Sequence, residues 1–187
     1  QINHPVADLT AIWGVQPFVE PSNAAGLQRH NGLDYFLKAP AVPVVASSDG
    51  RLMMAEVFIR PQDGNGQLNI AWIMPTGGVT SYSLEPSAGP ANSIKAAEQV
   101  ALARRMLDEL TVSIGDTIQS GQRLTTLYAQ DDWAHVHWSI KTSNGMPEEF
   151  VCPATYLSAK SQQELEPLVD AWERRIHKGQ KDPGLCQ

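Results

Sequence analysis

Arg51-Leu52-Met53-Met54-Ala55-Glu56-Val57-Phe58-Ile59, then Asp63-Gly64-Asn65-Gly66, then Leu68-Asn69-Ile70-Ala71-Trp72-Ile73 is the stretch on which the fold turns. Two runs rich in β-branched and aromatic residues flank an Asp-Gly-Asn-Gly turn, the signature of an antiparallel hairpin. Upstream, Val42-Pro43-Val44-Val45-Ala46 leads through Ser47-Ser48-Asp49-Gly50 into the first run, and downstream Val79 to Leu84 alternates in the same way. Asp34-Tyr35-Phe36-Leu37, Val112 to Ile118, Gly121 to Leu124 and His135 to Lys141 read as further strands. The chain is therefore expected to be mainly β, built on an antiparallel sheet.

Two segments break this pattern. Asn92 to Leu110 lacks Gly and Pro, and places Ile94, Ala97, Val100, Leu107 and Leu110 at helical spacing, with Asn92 or Ser93 as its cap. Ser161-Gln162-Gln163-Glu164 fits a capping box. It would open a closing helix with Leu165, Leu168, Val169, Trp172 and Ile176 on one apolar stripe and Pro167 near its first turn. The expected organisation is one domain over residues 1–158 with a helical insertion at about 90–110, and a helix and tail over 159–187 packed on it.

Composition narrows the function. The chain has 187 residues and a net charge of -6, which gives no basic footprint for nucleic acid. No apolar run approaches the roughly 18 residues of a membrane span. The sequence opens at Gln1 without an initiator methionine or a signal peptide, which reads as a processed chain or a trimmed one. Cys152 and Cys186 are an even pair that reads equally as two free thiols or as one bridge tying the tail to the domain. A bridge would point to an oxidising compartment.

Of the five histidines, three fall in two short constellations, His30-Asn31-Gly32-Leu33-Asp34 and His135-Val136-His137. Gly32 argues against a helix at the first, so a turn must bring imidazole and carboxylate together. In a strand, His135 and His137 share a face with Cα atoms about 6.5–7 Å apart, while Val136 and Trp138 face away. Each motif alone is common in structural roles. Together they supply two His ligands and one Asp, with one His left over, and three protein ligands with an open position compose a catalytic zinc site. His4 and His177 have no motif around them, and His177 is expected to be solvated at a helix end.

At these residues the chain resembles the lysostaphin-type zinc metallopeptidases. His30 to Asp34 is similar to the family's H-x-G-x-D signature and His135 to His137 to its H-x-H signature. Val112-Ser113-Ile114-Gly115-Asp116 through Gly121-Gln122-Arg123-Leu124 is similar to its V-x-x-G-D stretch, and Asp49-Gly50-Arg51-Leu52 and Gly145-Met146-Pro147 match in part. The resemblance runs from about residue 3 to 158 in the right order. It implies the duplicated hybrid motif fold, an antiparallel sandwich-like barrel, with one zinc per chain held by His30, Asp34 and His137 and with His135 as a catalytic residue beside the metal-bound water. It also implies hydrolysis of peptide cross-links in bacterial cell wall (peptidoglycan), in the periplasm or outside the cell.

Two departures accompany it. Where the family carries a second catalytic histidine in Y-x-H-L, this chain reads Tyr82-Ser83-Leu84-Glu85, so Leu84 stands at the expected position. That substitution implies a weak enzyme, with Glu85, Tyr82 or the inserted helix left to fill the gap. The Gly-rich loop before H-x-H is replaced by Tyr128 to Trp133 and Ala134. The alternatives are a zinc-binding but catalytically impaired relative that binds or regulates cell-wall machinery, and a biotinyl or lipoyl carrier. A carrier needs a lysine at a hairpin tip, where this chain has Arg51-Leu52-Met53-Met54.

Overall fold

The computed structural model describes residues 2–19, 30–88, 93–143, 149–176 and 184–186. Asn92, Gly145-Met146-Pro147 and His177 lie outside the described residues. Among the described residues the chain is mainly β, an antiparallel curled sheet with two helices. The strands are β1 (Ile12–Gln16), β2 (Leu33–Leu37), β3 (Ala41–Val45), β4 (Gly50–Ile59) and β5 (Gly66–Ile73), then β6 (Val79–Glu85), β7 (Thr117–Ile118), β8 (Arg123–Tyr128), β9 (His135–Lys141) and β10 (Phe150–Val151). Their order in the large sheet is β1-β2-β9-β6-β5-β4-β7, with β10 on β9, while β3 and β8 form a separate ribbon.

The hairpin read from the sequence is β4–β5, paired from Arg51 with Ile73 to Ile59 with Gly66. Its turn closes through Gly64 at φ 74°, a conformation that only glycine adopts without strain, and through the Asp63 side chain, which accepts from the Asn65 backbone N–H at 3.0 Å. Alternation then sorts the side chains. Leu33, Tyr35, Leu37, Leu68, Ile70, Trp72, Tyr82, Leu84, Val136, Trp138 and Ile140 are all buried in one core with Val42, Val44, Leu124 and Leu127 of the β3–β8 ribbon. The Tyr82 hydroxyl stitches the two layers, donating to the Val45 carbonyl at 3.0 Å and accepting from the Ser47 N–H at 2.8 Å.

Leu84 belongs to that core. It is fully buried and lies between Leu68 and Val136 of the neighbouring strands. The expectation that Leu84 stands where a catalytic histidine would face the metal is therefore corrected: period-2 geometry turns it to the opposite side of the sheet from His135 and His137.

The helices also differ from their sequence reading. Helix α1 (Ser93–Asp108) buries Gln99, Ala103 and Met106, whereas Ile94 is 70 % exposed, so its contact face is rotated from the one expected. It lies tightly on β5, where a Cβ on Gly66 would come within 2.6 Å of the Val100 backbone. Val112 to Asp116 is a turn rather than a strand, pinned by Asp116, which accepts from the Ser113 N–H at 2.8 Å. Helix α2 (Ala159–Ile176) begins earlier than the expected capping box, because the Ser158 hydroxyl caps it by accepting from the Ser161 N–H at 3.0 Å. Pro167 is thus inside the helix, where its missing N–H leaves one carbonyl of the preceding turn unbonded to it. Leu165, Val169 and Trp172 are buried against β1, and Ile176 is exposed.

Cys152 and Cys186 are bridged, across 34 residues of sequence. Closing a loop of that length in the unfolded chain contributes about 3–4 kcal/mol. The double variant Cys152→Ser/Cys186→Ser is expected to lose about that much in a urea unfolding curve. Thiol titration of the denatured, unreduced wild type is expected to find neither thiol free.

Candidate metal centre

The second face of the sheet carries the polar residues. Register places Asp34 of β2 beside His137 of β9 and His137 beside Ser83 of β6; one step along, Phe36, His135 and Glu85 form the parallel row. His30 reaches the same point from the chain just before β2, held by paired backbone hydrogen bonds with Val19 of 2.9 and 3.4 Å.

Three ligand-type atoms converge there. Atoms of His30, Asp34 and His137 all lie within 4.8 Å of one another. His137 Nδ1 is 2.6 Å from Asp34 Oδ1, and His30 Nε2 is 3.1 Å from Asp34 Oδ2. The rings of His30 and His137 meet edge to face at 5.1 Å. His30 Nδ1 stands 2.7 Å from the Pro17 carbonyl, which can only accept, so in the neutral ring Nδ1 carries the proton and Nε2 keeps its lone pair. That Nε2 is buried and makes no hydrogen bond of good geometry. A buried lone pair aimed at a carboxylate and a second imidazole, with its other nitrogen tied to a backbone carbonyl, is the arrangement of a metal-ligating histidine. Coordination of one ion by all three would part the 2.6 Å contact, since ligand atoms about 2.1 Å from a tetrahedral ion stand roughly 3.4 Å apart.

Charge follows from this packing. Burial alone would push the Asp34 carboxyl up, but the charges of His30, His135 and His137 and the hydrogen bond from His137 hold it well below the usual carboxylate range. Burial likewise pulls His30 down, and is outweighed by Asp34, the Pro17 carbonyl and Glu85, so His30 is raised. An ionised carboxylate among imidazoles is the donor set of a hard-to-borderline divalent cation.

His135 approaches from one side without joining the trio. Its Nδ1 donates to the Trp133 carbonyl at 2.9 Å, leaving Nε2 turned inward, 3.8 Å from Asp34 Oδ2 and 3.7 Å from Glu85 Oε1. Its ring packs on Phe36 at 5.0 Å, within an aromatic wall of Phe36, Trp13 and Trp133. Arg175 of α2 covers both tryptophans and is ion-paired with Asp132. The Tyr128 to Ala134 segment thus fixes His135 through Trp133. His4 is elsewhere, on the core side of β2 between Tyr35 and Glu164.

Gly32 has a steric role here. A Cβ at that position would come within 2.5 Å of the Trp138 carbonyl and 2.7 Å of the His137 ring. The obstacle on one side is strand backbone, which cannot turn away. Gly32→Ala is therefore expected to displace β2 from β9 and weaken affinity for added zinc at least about 10-fold in a chelator competition, the scale of losing an outer-shell partner. Unchanged affinity would mean that the strands adjust freely.

The residue that sequence reading left open is Glu85. It faces the site across from His135, with side-chain exposure of 14 %. The signal was present in Ser81-Tyr82-Ser83-Leu84-Glu85, where polar and apolar residues alternate and the polar ones share a face.

No family model matches the sequence, and no curated protein matches it. Among solved structures, the chain is similar to one from "Crystal Structure of SpoIIIAH and SpoIIQ Complex" at 18 % identity and TM-score 0.55, over 84 % of this chain and all of that one. It is similar at 18 % identity and TM-score 0.51 to one from the SpoIIQ–SpoIIIAH pore-forming complex, over 88 % and 96 % of the two chains. A chain named lytM, from Ruminococcus gnavus, matches at 18 % identity and TM-score 0.44, over 76 % of this chain and 57 % of that one. At these identities the likeness of the first two is one of fold.

Proposed function

We propose that the chain is a zinc-dependent endopeptidase acting on peptide cross-links of bacterial cell wall, in the periplasm or outside the cell. The observation that carries this reading is the convergence of His30, Asp34 and His137 on one point, with a third imidazole, His135, turned toward it. Bound there, zinc would polarise the scissile carbonyl and lower the pKa of a coordinated water. His30 and His137 would hold it as neutral imidazoles, and Asp34 would supply the compensating negative charge. His135, its Nδ1 occupied by Trp133, offers Nε2 to orient water or to donate to the developing oxyanion. The Phe36–Trp13–Trp133 wall excludes solvent from one side of His135. The disulfide supports an oxidising compartment. No described helix is long and apolar enough to cross a membrane.

Incubation of the zinc-loaded protein with synthetic cross-linked peptides tests the reading. Two new termini detected by mass spectrometry are expected, and intact peptide at stoichiometric enzyme would count against it.

A second reading, a metal-holding domain that binds partner proteins or cell wall without cutting, has one observation in its favour. Among the described residues no fourth imidazole reaches the site, since Leu84 is in the core and His4 lies across the sheet. On that reading the chain binds peptidoglycan or a protein partner and releases no product.

A further inference from the structure

Three groups could fill the place of a second acid–base residue, and the fold separates them. The Tyr82 hydroxyl is committed between Val45 and Ser47 in the core. Helix α1 packs through Ala103 and Met106 into that same core. Only Glu85 is on the face of His135, and it ends β6 directly opposite that residue in the β9 register.

Its two oxygens are not equivalent. Oε2 is 3.3 Å from Nη1 of Arg60, whose Nη2 is itself fixed 3.0 Å from Asp63 Oδ2 beside the β4–β5 turn. Oε1 is left pointing at His135 Nε2 across 3.7 Å. That gap is too long for a direct hydrogen bond, and it leaves the two atoms close enough to act on the same reacting water. Arg60 thus orients the carboxylate, while Trp133 orients the imidazole that faces it.

We propose that Glu85 is a catalytic proton carrier of the hydrolysis, an inference that rests on the endopeptidase reading. Oε1 takes a proton from the attacking water as its oxygen bonds to the scissile carbonyl carbon. The same proton is then delivered to the amide nitrogen as the carbon–nitrogen bond breaks. Water is consumed, one acid and one amine are released, and Glu85 returns to its ionised form. The carboxylate therefore does from the end of β6 the work that an imidazole at residue 84 would not reach.

The test uses the full chain loaded with zinc and the variants Glu85→Gln, Glu85→Asp and Glu85→His. Glu85→Gln keeps shape and removes the proton acceptor. It is expected to lower kcat about 10²- to 10⁴-fold, the range of a positioned acid–base group, with KM within a few-fold. Zinc affinity by chelator competition and the melting temperature should stay at wild-type values. Glu85→His, which restores a proton carrier, should recover part of the lost rate, and Glu85→Asp should fall between. Wild-type kcat in Glu85→Gln overturns the inference and leaves the endopeptidase reading standing. So does loss of zinc in Glu85→Gln, which would make Glu85 a fourth ligand. An inactive wild type overturns both.

Discussion

Asp34→Ala is expected to empty the metal site and abolish hydrolysis. Asp34 is 7 % exposed, and each of its oxygens meets a different imidazole, Oδ1 to His137 at 2.6 Å and Oδ2 to His30 at 3.1 Å. Its removal deletes one of three ligands and the only anion among them, leaving two half-buried imidazoles with nothing to offset a divalent charge. Loss of an outer-shell partner alone costs about 10–100-fold in metal affinity, so loss of this ligand should exceed about 10³-fold. Zinc per chain after gel filtration should fall from one to none, and cleavage should fall below detection. Asp34→Asn, which keeps the shape, should show the same loss, tying the effect to charge rather than to packing. His135→Ala is the contrast: with its Nε2 3.8 Å from Asp34 and outside the trio, its loss should leave zinc in place and reduce only turnover. A zinc-free His135→Ala protein would contradict this ligand assignment.

Leu84→His is expected to damage the fold without helping the chemistry. Leu84 is fully buried between Leu68 and Val136, within the hydrophobic core. The substitution deletes a buried leucine, worth about 2–5 kcal/mol as a truncation, and replaces it with an imidazole whose nitrogens lose water without compensation. A loss of about 3–5 kcal/mol follows, which in a chain of this size lowers the melting temperature by roughly 10 °C. Zinc content and the cleavage rate per folded molecule should not rise. A faster enzyme of unchanged stability would show that β6 slips by one residue and brings position 84 to the site.

Leu84 also shows where the sequence was legible and where it was not. The antiparallel hairpin, the turn at Gly64, and the shared face of His135 and His137 follow from period-2 alternation and turn chemistry, and the structure has them. His30, Asp34 and His137 could be grouped because their side chains are the types that bind a metal, not because distance was visible. Position 84 was misread because a family spacing was laid over β6 in place of its own alternation, in which Tyr82 and Leu84 are apolar while Ser83 and Glu85 are polar. The face of α1 was hidden for a different reason. Its packing is decided by the close approach of Val100 to Gly66, a tertiary contact that leaves Ile94 in solvent despite its hydrophobicity. The early start of α2 was hidden because Ser158, which caps it, lies three positions before Ser161, a residue of the same capping type that alone was read as the start.

The central claim is that metal held by His30, Asp34 and His137 makes this chain a peptide hydrolase. Digestion of purified cell-wall sacculi by the zinc-loaded protein tests it most directly, with chelator-treated, zinc-restored and Asp34→Ala protein run alongside. The account predicts soluble cross-link fragments with the loaded protein, none after chelation or with Asp34→Ala, and recovery when zinc is returned. Release that is indifferent to chelator, or no release by a protein shown to carry one zinc per chain, would contradict it.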